Sequence, residues 1–112
     1  MTKNNTFGNF LREIIKQSGK SQSEFYTAVG ITKPYFYDIL SGKVNPPPSD
    51  VQYKMLENLN LDKNQRYKFL NLAAEGRDEI PADIAKIIID HPFELDEIRI
   101  ALTSLFAETS EE

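Results

Sequence analysis

Residues 21–42 read SQSEFYTAVGITKPYFYDILSG, and this stretch predicts two short helices joined by a tight turn. Ser21 and Glu24 have the spacing of a capping box. In that arrangement the serine hydroxyl accepts from the backbone N–H of residue 24, and the glutamate carboxylate accepts from the N–H of residue 21. The turn is expected at Gly30, because glycine readily adopts the left-handed conformation that ends a helix.

The second helix of this stretch is expected to begin with Thr32 as its N-cap and Pro34 in its first turn, and to end at Gly42. Helical spacing and the corner between the helices predict that these apolar residues face inward: Phe25, Ala28, Val29, Ile31, Phe36, Ile39 and Leu40. Two helices joined by a short turn that contains glycine form a helix-turn-helix. The second helix of such a motif can enter a DNA major groove.

The chain resembles the Xre family, the DNA-binding domain of phage repressors and Cro proteins, over about residues 7–72. The residues that carry the resemblance are Gln22, Glu24, Ala28, Val29, Gly30, Ile31, Phe36, Ile39 and Gly42. The resemblance implies a compact five-helix bundle that binds DNA. Many members have a buried Arg–Glu pair where this sequence has Ile15 and Leu40. An apolar pair there can be neutral or stabilising, so the fold is expected to survive the change.

Apolar spacing predicts an all-α chain with five further helices. Their expected ranges are 6–18, 50–59, 63–75, 81–90 and 93–107. In the helix at 63–75, burial on more than one side is predicted from two stripes, Tyr67, Leu70 and Ala74, and Phe69, Leu72 and Ala73. The predicted organisation is a helix-turn-helix DNA-binding bundle at residues 1–76, a helical extension at 77–107 and an acidic tail at 108–112.

Charge is unevenly distributed along the 112 residues, whose net charge is −4. Residues 1–54 contain seven basic and four acidic side chains, whereas residues 55–112 contain six basic and thirteen acidic ones. Phosphate contact needs basic or neutral donors, so the acidic half is expected to point away from DNA. There is no cysteine, no signal-peptide pattern and no apolar run long enough to span a membrane, and the cytoplasm is the expected location.

The residues expected to read bases lie on the second motif helix: Thr32, Lys33, Pro34, Tyr35, Tyr37 and Asp38. Lys33 can donate to guanine, Pro34 can contact a thymine methyl, and Asp38 can accept from cytosine although it repels phosphate. By the resemblance, Thr32 through Tyr35 and Asp38 occupy positions that contact DNA in phage repressors. The competing interpretation is that these side chains are merely exposed.

A second group of residues is expected to hold the DNA backbone. Gln22 lies at a helix N-terminus, where unpaired N–H groups favour an anion. The resemblance implies that this glutamine binds phosphate and orders a base-reading side chain, and that Lys43 and Asn45 contact the sugar–phosphate backbone. Lys20 either complements the dipole of the preceding helix or contacts phosphate.

The C-terminal helices carry an apolar set that exceeds the needs of a free tail. Three uses stay open: packing within the chain, a homodimer interface on two half-sites, or a surface for another protein. The residues expected to serve dimerisation are Ile84, Ile88, Leu95, Ile98, Leu102 and Leu105.

Motifs for enzyme chemistry are absent from the sequence. The Gly42-Lys43 pair lacks the spaced glycine and the Ser/Thr of a phosphate-binding loop, and His91 is the only histidine. No metal site, catalytic residue or cofactor is therefore expected. The favoured interpretation is a sequence-specific transcriptional regulator, more often a repressor, acting as a homodimer on double-stranded DNA. The alternative is a protein-interaction module that keeps the fold with weak or no DNA binding.

Overall fold

The computed structural model describes residues 6–107, which form seven α-helices and a 3₁₀ turn and contain no strand. The helices are α1 Thr6–Ser18, α2 Gln22–Val29, α3 Lys33–Ser41, α4 Ser49–Glu57, α5 Lys63–Arg77, α6 Ala82–Ile89 and α7 Leu95–Leu105, with the 3₁₀ turn at Pro92–Glu94. The all-α prediction is confirmed. The chain divides into two compact units, the first ending at Ala82 and the second beginning at Asp83. The predicted acidic tail lies outside the described residues.

Local signals for α2 are confirmed atom by atom. The Glu24 N–H donates to Ser21 Oγ at 3.0 Å, and the Ser21 N–H donates to Glu24 Oε1 at 2.8 Å. Gly30 ends the helix with φ at +90°, a left-handed value that strains any residue with a Cβ. Its N–H donates to the Tyr26 carbonyl at 3.0 Å, so the turn closes on the preceding helix.

α3 begins and ends as its sequence predicts. Thr32 is the N-cap, with its hydroxyl accepting from the Tyr35 N–H at 3.3 Å, and a proline occupies the first turn. Gly42 is the C-cap, in the left-handed conformation. Three residues, 30–32, therefore separate α2 from α3.

The core of the first unit is built around α1, which packs against α3 and α5. Aromatic rings link the helices: Phe7 meets Phe69 edge to face with centroids 5.1 Å apart, and Phe25 meets Phe36 at 6.1 Å. The buried apolar residues are Phe7, Phe10, Leu11, Ile14, Ile15, Phe25, Val29, Phe36, Ile39, Leu40, Met55, Leu56, Leu59, Phe69, Leu70, Ala73 and Ala74. Ile15 and Leu40 are both part of this apolar core.

Two residues expected to face inward do not. Ala28 is exposed, because the short α2 buries only Phe25 and Val29. Tyr67 is 47% exposed, and Lys63 Nζ lies 5.8 Å from the centre of its ring, a cation–π contact at the surface. The prediction that these two residues are buried is wrong.

Helix α1 approaches α3 closely at Gly8. A Cβ at this position would lie 2.9 Å from the Ile39 carbonyl oxygen and would overlap the Leu40 carbonyl group. The obstacles are backbone atoms of the last turn of α3, which cannot move aside as a flexible side chain could. Gly8 thus sets the distance between α1 and α3.

We expect Gly8→Ala to lower the free energy of unfolding by about 2 kcal/mol or more, in the range of overpacked cores, because α1 and α3 must separate. Urea denaturation measures the change. The matched control is Glu13→Ala, an exposed position in the same helix. Equal unfolding midpoints for the two variants would show that α1 and α3 are not held at this distance.

The second unit exposes most of its apolar side chains. None of the described residues of α6, the 3₁₀ turn or α7 is buried. Its exposed large apolar residues are Ile84, Ile87, Ile89, Phe93, Leu95, Ile100, Leu102, Leu105 and Phe106. Among residues 6–107, no helix has the length and the apolar character that crossing a membrane would require.

Candidate nucleic-acid interface

A hydrogen bond joins two of the predicted DNA contacts across the α2–α3 pair. The Tyr37 hydroxyl donates to Gln22 Oε1 at 2.9 Å, although the residues are fifteen positions apart. Gln22 is the first residue of α2, and Tyr37 lies in the middle of α3. The glutamine amide keeps its two N–H donors for another acceptor, while its oxygen orients the tyrosine.

The Tyr37 ring is also held by aromatic neighbours. It meets Phe36 with centroids 5.1 Å apart and Tyr26 at 6.5 Å, both edge to face. Tyr26 in turn lies 5.3 Å from Phe36. Tyr26 was not predicted from the sequence, because it falls beside the apolar stripe of α2. These contacts restrict the Tyr37 ring before any ligand binds, so ordering it on binding costs less conformational entropy.

Three lysines surround the α2–α3 pair. Lys20 precedes α2, Lys33 is the first residue of α3, and Lys43 follows its C-cap. All three are exposed, and none forms an ion pair with another residue of 6–107. Their charges are therefore available to a polyanion without first breaking a salt bridge.

The first turn of α3 presents a narrower surface than the sequence predicts. Thr32, Lys33 and Pro34 are exposed, whereas Tyr35 and Asp38 are half-buried. The Thr32 hydroxyl accepts from the Tyr35 N–H and keeps its own proton for donation. Base contacts from α3 would come first from the exposed residues.

Tyr35 turns part of its ring toward the first unit's core. Burial raises the pKa of the Tyr35 hydroxyl above its usual 10.0, the positive charge of Arg77 lowers it, and Asp50 raises it again. The net shift is upward. At neutral pH the hydroxyl is therefore protonated and can donate to a phosphate or to a base acceptor.

The loop after α3 is fixed at both ends. At its start, the Lys43 N–H donates to the Asp38 carbonyl at 3.0 Å. At its end, Pro46 and Pro47 are buried, and their carbonyls accept from Arg77 Nη1 at 3.0 Å and from Gln52 Nε2 at 2.9 Å respectively.

Between these two ends, Lys43 and Asn45 are exposed on a backbone with little freedom. Gln52 and Arg77 were not predicted from the sequence. The one signal for Gln52 is its position on the buried side of α4. No local pattern marks Arg77, because its partner Pro46 lies 31 residues away in the sequence.

The predicted dimerisation residues all lie at the surface of the second unit. Ile84, Leu95, Leu102 and Leu105 are exposed, and Ile88 and Ile98 are half-buried. The described part of the chain contains no cluster of three acidic or histidine side chains arranged to hold a metal ion.

No known protein family, curated protein or solved structure matches the chain. The role of the α2–α3 surface must therefore be inferred from the side chains that it exposes. It combines exposed lysines, amide donors and hydroxyl donors around the exposed end of one short helix. Phosphate oxygens and the acceptor atoms of base edges bind donors of these kinds.

The ionisation of Tyr35 can be followed by subtracting the tyrosinate absorbance of Tyr35→Phe from that of the wild type at each pH. We expect this difference to titrate with a midpoint above pH 10.0, because burial disfavours the ionised Tyr35 ring. A folded-state pKa above the unfolded value contributes stability that is complete below pH 10.0 and lost as the pH rises through the folded value. The wild type should thus lose more stability than Tyr35→Phe in that window. A midpoint at or below 10.0 would contradict the half-buried position.

Proposed function

We propose that this chain is an Xre-like, sequence-specific DNA-binding protein whose α2–turn–α3 is a helix-turn-helix. The observation that carries the proposal is the exposed N-terminal end of α3, which is bordered by unpaired lysines and joined to α2 through the Gln22–Tyr37 hydrogen bond. A helix-turn-helix inserts this end of its second helix into the major groove.

Base reading would come from the first turns of α3. Lys33 donates to guanine O6 and N7, and Pro34 packs on a thymine methyl group. Thr32 and Tyr37 offer hydroxyls, while Tyr35 and Asp38 contribute from half-buried positions at the edge of the contact. No arginine lies on this face, so bidentate guanine contacts are fewer, and thymine methyls and DNA shape carry more of the specificity.

Backbone contacts would come from residues on either side of α3. The Gln22 amide and the free N–H groups at the start of α2 receive one phosphate, with Lys20 beside them. Lys43 and Asn45 contact a phosphate past the other end of α3. Because phosphates lie on both sides of the groove, contacts at both ends of α3 would fix its register on the duplex.

The regulatory activity that follows from this binding is repression by covering a promoter. Two copies would bind two half-sites as a symmetric dimer, joined through the apolar side chains of α6 and α7. Exposed apolar surface of this extent is typical of interaction sites. The cytoplasm is the proposed location.

One observation favours a second candidate, a protein-interaction module without DNA binding. Residues 83–112 contain two basic and eight acidic side chains, a net charge of −6, together with the exposed apolar residues of α6 and α7. Such a unit is suited to a basic, apolar protein partner.

The same charge bears on the homodimer. Two copies of residues 83–112 would repel each other at low salt, so dimerisation should tighten as salt rises.

Selection from a random duplex pool tests the proposal. We expect enrichment of a two-fold symmetric site with half-sites about one helical turn, ~10 base pairs, apart, because a dimer presents its two α3 helices at that spacing. A single half-site would retain DNA binding and exclude the dimer. Salt-sensitive background without enrichment would favour the interaction module.

We expect Lys33→Ala to weaken binding to the selected site by about 1–3 kcal/mol and to relax preference at one base pair, because a guanine loses its donor. Fluorescence anisotropy at fixed salt measures both effects. The matched control is Lys68→Ala, which removes the same charge from a lysine that covers the Phe10 ring between α1 and α5. Equal losses for the two variants would show that Lys33 contributes only charge.

A further inference from the structure

Arg77, at the last position of α5, connects three parts of the first unit. Its Nη1 donates to the Pro46 carbonyl at 3.0 Å, while Nε and Nη2 donate to the two carboxylate oxygens of Glu79 at 2.9 and 3.1 Å. The pair with Glu79 is bidentate, so the carboxylate fixes the plane of the guanidinium and aims Nη1 at the carbonyl.

The same turn of α5 holds the Pro46 ring. A Cβ on Gly76 would lie 2.7 Å from the Pro46 Cγ and Cδ atoms, so the ring rests directly on the helix backbone. Proline has no N–H, and the three consecutive prolines 46–48 can be fixed only through ring packing and carbonyl acceptors. Arg77 supplies the donor for the first of these carbonyls, one residue after Asn45.

We infer that Arg77 is a positioning residue for the DNA-backbone contacts of Lys43 and Asn45, and that Glu79 holds it in that role. The inference rests on the proposed function. Arg77 is too far inside the turn to replace the lysine itself: its three bonded nitrogens already have partners within the first unit. Its effect on DNA passes through the loop.

The position of Glu79 in the chain offers a way to regulate the contact made by Arg77. Glu79 lies in the segment between α5 and α6, outside both helices, and its side chain is exposed. The carboxylate that orders Arg77 is therefore on the part of the chain that leads to the second unit. Displacement of this segment would remove the carboxylate that orients Arg77 and would weaken the support of the Pro46 carbonyl.

The decisive comparison uses Glu79→Gln and Glu75→Gln, measured by anisotropy on the selected duplex. Glu75 lies in the last turn of α5 and Glu79 two residues past its end, so both variants remove one negative charge from the same region, which by simple electrostatics tightens binding to a polyanion. Positioning predicts the reverse for Glu79→Gln alone, about 3-fold to 8-fold weaker binding, the upper figure being one phosphate contact at ~0.1 M salt. Equal or tighter binding by both variants would overturn the inference.

A double-mutant cycle locates the effect. We expect Lys43→Ala to lower the slope of log affinity against log salt by about 1, and Arg77→Ala to reduce it similarly. In the double variant the two losses should not add, because Arg77 acts through Lys43. Additive losses would mean that Arg77 contributes an independent charge and would overturn the inference. Urea midpoints of all variants confirm that they are folded.

The two proposals fail in different ways. If the wild type selects no duplex, the proposed function is contradicted, and the inference that rests on it is contradicted as well. If the wild type selects a duplex and Lys43→Ala weakens it while Glu79→Gln does not, the DNA-binding function stands and only the positioning role is lost.

Discussion

The backbone contact between α1 and α3 at Gly8 is the constraint on which the first unit depends. Helix α3 is only nine residues long, and its second half is committed to the core through Ile39, Leu40 and the carbonyls that face Gly8. Its first half is free of core contacts apart from Phe36 and part of Tyr35. One end is thus anchored so that the other can be exposed, which is what a helix that inserts into a groove requires.

The loop after α3 follows a different rule, imposed by its prolines. A loop normally finds donors and acceptors along its own backbone, but residues 46–48 have only acceptors to offer. Donors must therefore come from other helices, and here they are Gln52 of α4 and Arg77 of α5. The rigidity of the loop is a tertiary property, so residues distant from the surface determine where Lys43 and Asn45 lie.

Sequence reasoning succeeded where the deciding interactions are local. The caps at Ser21 and Thr32 and the turn at Gly30 involve partners within five residues, and their geometry is readable from composition alone. It failed where the partner is distant: nothing near Gly8 or Arg77 announces a contact 31 or more residues away. Tyr67 was predicted to be buried and is exposed. Helical spacing placed it on an apolar stripe but could not tell which edge of that stripe a neighbouring helix would cover.

A net charge of −4 does not by itself oppose DNA binding. At physiological salt a charge is screened within about 8 Å, so the groups beside the phosphates decide the sign of the interaction. Around α2 and α3 these groups are three unpaired lysines and two carboxylates. The Glu24 carboxylate on α2 accepts from the Ser21 N–H and keeps its charge, and Asp38, half-buried, is the acidic side chain on α3, so three positive charges stand against two negative ones. The local balance is therefore positive although the chain as a whole is acidic.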